Sequence, residues 1–172
     1  MKTLLLIGIL LGMMCMAAIA AAPDIQVAIA IPQNRRGERA VQYSLREHFH
    51  VILTNSSDTP KRIWKEWCSW GYFALSFELT DEKGKIWTAK KKSRAWTRNY
   101  PDYCTVAPHE SLVLDVDFMD ADVWDGLPRS SSISQNLKMR AIFEIEPDKE
   151  SQQYSVWTGR ATSKVDEYVF YK

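Results

Sequence analysis

The chain has 172 residues, with 22 basic side chains against 21 acidic ones and three cysteines. This near-neutral balance argues against generic nucleic-acid binding, and three cysteines are too few for a cysteine-rich miniprotein or a zinc finger built on cysteines alone. The one long apolar run lies at the N-terminus, which argues against a multi-span membrane protein.

The first twenty residues have the layout of a secretory signal peptide. Lys2 precedes an apolar stretch at 4–16, and an alanine-rich run at 17–22 follows it. We therefore predict a signal peptide at 1–20 and a single mature domain at 21–172 in a secreted or periplasmic protein. An uncleaved anchor is the alternative, because the apolar stretch and the alanines together are long enough to cross a bilayer. Cleavage leaves two cysteines and no net charge.

Apolar and polar residues alternate along most of the mature chain. A period of two describes strands with one face in a core and the other nearer to water. The alternating sets lie at 25–31, 41–45, 49–53, 73–79, 112–118 and 137–145, and two closing strands are predicted at 154–158 and 165–171.

Turn residues separate these sets. Asp81-Glu82-Lys83-Gly84 predicts a hairpin turn in which Gly84 adopts a positive φ. The segment at 119–132 is irregular, with a short helix expected around 120–124. Many short strands with turns at short spacing predict an all-β fold, an immunoglobulin-like antiparallel β-sandwich of about seven to nine strands.

Three stretches carry the strand–turn–strand layout of a known family. They read FHVILTNSSDTP at 49–60, FELTDEKGKIW at 77–87 and VAPHESL at 106–112. Together they resemble the BsuPI-type proteinase inhibitors. The resemblance implies an immunoglobulin-like sandwich and an inhibitory activity, and no functional residue is carried over from it.

Cys68 and Cys104 remain after cleavage of the leader, and an exported chain with two cysteines usually oxidises them to each other. We therefore predict a disulfide that joins the aromatic loops at 67–70 and 100–104. A bridge of this span would stabilise the fold by about 3–4 kcal/mol. A reactive or metal-binding cysteine pair is the alternative.

Aromatic and basic residues crowd the same two regions. Exposed rings stack on sugars and anchor protein partners, while a basic run attracts anionic surfaces. For the rings we favour a buried plug with at least one ring partly exposed, and a basic run such as 90–98 is more often a solvated hairpin that protects a sheet edge. The candidate ligand-binding residues are Trp64, Trp67, Trp70, Tyr72, Trp96, Arg94, Arg98 and Tyr100.

Neither metal binding nor catalysis has a strong signal. The five aspartates at 115–125 have the density that calcium prefers, but Trp124 stands where the calcium loop of an EF-hand needs an oxygen. His48 and His50 share a strand face, and the sequence places no third zinc ligand near them. No metal, cofactor or catalytic residue is predicted.

These observations predict an exported, non-catalytic binding module. Its expected partner is an exported or envelope protein, bound through a protein-interaction or inhibitor-like surface. The alternative is a carbohydrate-binding module that holds a polysaccharide with its tryptophan and tyrosine rings. Neither a nucleic-acid partner nor a membrane span after leader cleavage is expected.

Overall fold

Two β-sheets pack face to face, and a two-stranded ribbon extends from them. The computed structural model describes residues 23–42, 48–118, 122–128 and 133–171. The predicted signal peptide, residues 43–45 of the second alternating set and residues 119–121 and 129–132 of the irregular segment lie outside the described residues. Within the described ranges, no helix has the length and apolar character needed to cross a membrane.

The elements follow in chain order. They are β1 (Ile25–Ala30), β2 (Ala40–Gln42), β3 (Phe49–Asn55), β4 (Lys61–Trp64), α1 (Ser69–Tyr72), β5 (Leu75–Thr80), β6 (Ile86–Lys91), β7 (Tyr103–Val106), β8 (Ser111–Val116), β9 (Trp124–Asp125), β10 (Ser134–Ile145), α2 (Lys149–Tyr154), β11 (Gly159–Thr162) and β12 (Asp166–Tyr171).

The strands form three sheets. The small sheet has the order β1-β3-β8, and the large one has the order β2-β12-β10-β5-β6-β9 with β11 also on β10. Strands β4 and β7 form the separate ribbon. The all-β sandwich is confirmed, and its immunoglobulin-like topology stays a prediction. The described residues hold twelve strands rather than seven to nine because of short pieces such as β2 and β9, and the β2–β12 pair is parallel.

An aromatic cluster joins the two main sheets. Phe49 on β3 meets Phe77 on β5 edge to face, with ring centroids 5.7 Å apart. Phe118 contacts both rings, and Trp124 contacts Phe77 and Phe118. All four side chains are buried. Edge-to-face pairs add to the free energy gained by burying the rings, so this cluster fixes how the sheets face each other.

The longest strand, β10, is the centre of the large sheet. It pairs with β5 on one side, and with β12 and then β11 on the other. Between the two partners, the Ala141 N–H donates to the Ser163 hydroxyl and the Ser163 N–H donates to the Ala141 carbonyl, each at 2.9 Å. The segment between β11 and β12 therefore departs from regular pairing with β10 for only a few residues, and Ser163 satisfies the main-chain groups of Ala141 in between.

Two local predictions about helices and strands are wrong. The predicted strand at 154–158 is replaced by the end of α2 and one bridge from Val156 to Arg62. Asp148 and Ser151 cap each other's backbone N–H groups at the start of α2, and Ser155 ends the helix in the left-handed region. Of the helix expected around 120–124, residues 120 and 121 lie outside the described residues, and residues 122–124 form a turn and the start of β9.

The hairpin between β5 and β6 follows its prediction. Gly84 has a φ of 81°, a conformation that glycine adopts without steric cost. The Asp81 carboxylate accepts hydrogen bonds from the N–H groups of Lys83 and Lys85 at 2.9 Å and 2.8 Å. The turn therefore fixes the register in which β6 runs back along β5.

Asn55, at the end of β3, joins the small sheet to the ribbon. Its side chain has no exposed surface. The amide nitrogen donates to the carbonyls of Thr59 and Val106 at 2.8 Å and 3.0 Å, while the amide oxygen accepts from the N–H and the hydroxyl of Ser57. Its main-chain N–H donates to the Glu110 carbonyl. Full pairing offsets the cost of burying the amide.

Substitution of this side chain tests the joint. We expect Asn55→Ala to lower the free energy of unfolding by about 2–4 kcal/mol, because buried carbonyls lose their donors. Urea unfolding followed by tryptophan fluorescence measures the change. The matched control is Asp58→Ala in the same loop, where the side chain is 98% exposed and the expected change is within about 0.5 kcal/mol. Equal stability of the two variants would contradict the assignment.

Candidate functional site

The β4–β7 ribbon brings the two predicted aromatic regions together. Trp64 pairs with Tyr103, and Ile63 pairs with Cys104. The chain that leaves β4 forms the segment 65–73, which includes α1 and is called the helix loop below. The chain that enters β7 forms the segment 92–102, called the basic loop. Because the strands are antiparallel neighbours, both loops lie at the same end of the ribbon.

Trp64, one of the predicted ligand-binding residues, lies in the interior of the protein. Its side chain is 2% exposed, and its centroid lies 5.7 Å from that of Tyr154, 6.1 Å from that of Trp70 and 6.4 Å from that of Tyr103. Trp70 is half-buried beside it. These rings fasten α1 and α2 to the ribbon, as in the plug interpretation.

Tyr72, Trp96 and Arg94 form a stack between the two loops. Tyr72 is buried and meets Trp96 edge to face at 5.4 Å. The Arg94 guanidinium lies 4.6 Å from the centre of the Tyr72 ring and 4.0 Å from that of Trp96. Cation–π contacts at these distances are attractive, so Arg94 holds the basic loop against α1.

Lys91 points inward at the end of β6, although the basic run was expected to be a ligand surface or a solvated hairpin. Its side chain is 8% exposed and forms an ion pair with Glu66 of the helix loop. The ammonium also lies 4.9 Å from the Tyr72 ring centre and 5.8 Å from that of Trp124. Lys91 is therefore a structural contact between the large sheet and the helix loop.

Trp67 and Tyr100 remain on the surface. Their side chains are 42% and 58% exposed, and the rings meet edge to face with centroids 5.1 Å apart. Arg98 is exposed two residues before Tyr100. We call this surface the aromatic face and define it by Trp67, Tyr100, Arg94 and Arg98.

Hydrogen bonds and one ion pair brace the two loops. The Asn99 side chain accepts from the Ser69 N–H at 3.0 Å and donates to the Ser69 hydroxyl at 2.7 Å. The Lys65 N–H donates to the Asp102 carbonyl at 3.0 Å, and the Lys65 ammonium lies 2.9 Å from the Asp102 carboxylate. The hydrogen bond to this carboxylate raises the pKa of Lys65.

Gly71 permits the close packing of α1 on the end of the ribbon. A Cβ atom at this position would lie 2.3 Å from the Lys65 carbonyl oxygen and 2.8 Å from the Trp64 carbonyl oxygen. Such distances are far inside van der Waals contact, and both atoms belong to the backbone. A glycine is therefore required for α1 to lie this close to the chain before it.

Cys68 and Cys104 are free thiols, so the predicted disulfide is absent. The Cys68 Sγ donates to the Lys65 carbonyl at 3.2 Å, and the Cys104 Sγ donates to the Ile63 carbonyl at 3.7 Å. Burial raises the pKa of the Cys104 thiol. The contacts between Lys65 and Asp102 and between Ser69 and Asn99 connect the loops that the disulfide was expected to join.

A cleft opens beside α1, and most of its lining was not predicted. It encloses about 450 Å³. Its lining consists of Trp64, Ser69, Trp70, Phe73, Ala74, Ser76, Glu144, Ile145, Glu146 and Asp148. Two sequence signals pointed to it: Phe73 continues the three-residue spacing of the tryptophans, and acidic residues alternate at 144, 146 and 148.

The residues weighed for metal binding have other neighbours. His50 Nδ1 lies 2.8 Å from the Asp115 carboxylate on the adjacent strand. Among the residues that the structure describes, no group of three or more histidine, cysteine, aspartate or glutamate side chains has an arrangement suited to a metal ion. Asp120 of the acidic cluster lies outside those residues.

The Glu66–Lys91 pair can be tested by removing one charge. We expect Glu66→Gln to lower the free energy of unfolding by about 1–3 kcal/mol, because an interior ammonium loses its counter-charge while the partly exposed Glu66 site still admits water. Urea unfolding measures this. Glu82→Gln, an exposed change of the same charge in the β5–β6 turn, should leave stability within about 0.5 kcal/mol. Equal effects would refute the structural role.

The cysteines can be tested by alkylation without reductant, followed by peptide mapping of Cys68 and Cys104. In denaturant both should react fully, whereas in the folded protein both should react slowly. The raised pKa leaves Cys104 protonated at neutral pH, so its rate should rise about tenfold per pH unit below that pKa. Recovery of a peptide pair linked through Cys68 and Cys104 would contradict the free thiols.

Comparisons with known proteins do not indicate a function, so a functional assignment rests on the geometry. No family model, curated protein or solved structure matches this chain. The resemblance to the BsuPI-type inhibitors accordingly stays a prediction.

Proposed function

We propose that the protein is an exported, non-catalytic binding module that engages a partner protein through the aromatic face. The observation that carries this proposal is the exposed pair of Trp67 and Tyr100 on two loops that are braced against each other. The eight residues expected to bind a ligand then divide into supports and contacts. The supports are Trp64, Trp70, Tyr72 and Trp96, and the contacts are the four residues of the aromatic face, of which Arg94 also braces the loops.

Ring exposure supports a role in protein recognition. Tryptophan, tyrosine and arginine are the residues most enriched among the few that dominate the binding energy of protein interfaces. Trp67 and Tyr100 lie in direct contact, so a partner can cover both rings at once. Arg94 and Arg98 are exposed on the basic loop, which also carries Tyr100. This composition is that of a compact binding centre with a charged margin.

The preorganisation of the helix loop and the basic loop also supports the protein-binding proposal. The helix loop and the basic loop are connected by the Ser69–Asn99 hydrogen bonds, the Lys65–Asp102 ion pair and the Arg94 stack. Ordering flexible loops and side chains on association costs free energy. Loops that are already braced reduce that cost, so a small aromatic surface can suffice for specific binding.

The charge of the basic loop favours an acidic partner surface. Lys90, Lys92, Arg94 and Arg98 are exposed along this part of the chain, whereas Lys91 is turned inward. Exposed cations accelerate association with an anionic surface and make it sensitive to salt. Binding through this face should therefore weaken as the ionic strength rises.

A polysaccharide ligand is the second candidate, and the exposed ring of Trp67 is the observation that favours it. An indole face can stack on a sugar ring as well as on a protein side chain. Titration with a panel of soluble polysaccharides, followed by tryptophan fluorescence, distinguishes the two functions. A saturable change that Trp67→Ala abolishes would favour the sugar, and the absence of a change at millimolar sugar would favour the protein partner.

Affinity capture from an envelope extract tests the protein-binding proposal. Immobilised wild-type protein should retain one or a few acidic proteins, and Trp67→Ala should weaken the binding of each at least about tenfold. Tyr100→Ala should weaken the same proteins. Val113→Ala on β8, where the side chain is 53% exposed, is the control for an apolar surface residue distant in the chain.

The outcome against the proposal is equally specific. If Trp67→Ala, Tyr100→Ala and Val113→Ala retain the same proteins with the same affinity, the aromatic face is not the binding surface.

An inhibitory role is tested by titrating serine and cysteine proteases with the protein. Loss of protease activity at a stoichiometric ratio, reversed by Trp67→Ala, would identify the partner as a protease.

A further inference from the structure

We propose that the cleft beside α1 is a second binding site, which takes the basic side chain of an arginine or lysine from a partner polypeptide. The site lies between the helix loop and the C-terminal end of β10. Trp67 and Tyr100 of the aromatic face are not among its lining residues. The proposal is therefore independent of the function assigned to that face.

The cleft has the size and wall of a side-chain pocket. Its volume of about 450 Å³ is within the range of small-ligand sites. Trp70 and Phe73 form an aromatic wall beside the buried Trp64, and Phe73 is 48% exposed. The main chain keeps this wall in place, because the Glu144 N–H donates to the Ala74 carbonyl at 2.9 Å. An apolar stem can lie along these rings.

The charged residues in the lining of the cleft are all acidic, and Arg160 pairs with one of them, Glu144, at the rim. Three carboxylates, Glu144, Glu146 and Asp148, line the cleft, and the described lining contains no lysine, arginine or histidine. Among the described residues no side chain pairs with Glu146, which is exposed. A cationic group entering the cleft therefore meets aromatic faces and carboxylates, both of which attract it.

The three carboxylates of the lining differ in the partners they already have. Arg160 on β11 reaches the Glu144 carboxylate at the rim, with Nη1 2.9 Å from Oε2. Asp148 uses one carboxylate oxygen to cap α2, accepting from the Ser151 N–H at 2.6 Å. Glu146, between them in sequence, keeps both oxygens for a guest.

Donor and acceptor balance favours a basic side chain over a sugar. Ionised carboxylates only accept hydrogen bonds, and guanidinium and ammonium groups only donate them. A sugar hydroxyl both donates and accepts, so it would use this lining less completely. Arginine and lysine also combine an apolar stem with a charged head, which matches the aromatic wall and the acidic rim.

Nuclear magnetic resonance titration of the ¹⁵N-labelled protein tests the site. The probe is an acetylated, amidated peptide Gly-Ser-Arg-Ser-Gly, and its counterpart with citrulline in place of arginine keeps the shape without the charge. We expect saturable shifts of the Trp70 indole N–H and of the Ala74 and Glu146 amides with the arginine peptide only. Glu146→Gln should weaken binding about two- to fivefold.

Matched variants make the result decisive. Glu82→Gln removes the same charge outside the cleft and should leave the affinity unchanged, as should Trp67→Ala on the aromatic face. Equal binding of the citrulline peptide, equal weakening by Glu82→Gln, or no shift with the arginine peptide would overturn the proposal. Shifts of the same signals with cellobiose but not with the arginine peptide would identify a sugar site instead.

Discussion

Asn55 is the point at which three parts of the molecule meet. The strand β3 ends there, the loop to β4 turns around its side chain, and the last carbonyl of β7 accepts one of its hydrogen bonds. This interior amide therefore ties the ribbon to the end of the small sheet, while Arg62 connects the ribbon to the segment after α2. An apolar residue of similar size could fill the space, but it could not hold the carbonyls of Thr59 and Val106 in place.

The far end of the ribbon is held by several weaker contacts instead of one strong one. Hydrogen bonds, an ion pair and ring stacking connect the helix loop to the basic loop, and Lys91 connects the helix loop to the large sheet. The total charge is nearly neutral, yet the charges are separated locally. The basic loop lies on one side of the helix loop, and the acidic cleft lies between the helix loop and the end of β10. Local charge, rather than net charge, determines which partners such a protein attracts.

Alternation of apolar residues predicted β1, β3, β8 and β10 because each has one side in the core, and the Asp81–Gly84 turn followed from its own chemistry. Helix α2 was not predicted because six residues are too few to show a helical period of apolar residues. The capping box formed by Asp148 and Ser151 defines where this helix begins. Trp64, Trp67 and Trp70 share a spacing, yet they lie in a strand, a turn and a helix, so their rings reach different surroundings. The redox compartment of a protein indicates whether its cysteines can be oxidised to a disulfide. It does not indicate whether the fold brings the two sulfur atoms within bonding distance.

The burial of Asn55 also limits where this protein can be made. Asn55-Ser56-Ser57 has the form of an acceptor for N-linked glycans, and oligosaccharide addition in a eukaryotic secretory pathway takes place on chains that have not finished folding. A glycan on this amide would remove a donor that the ribbon needs and would place a large polar group where there is no exposed surface. We therefore expect that a chain carrying a glycan at Asn55 could not adopt the fold described above.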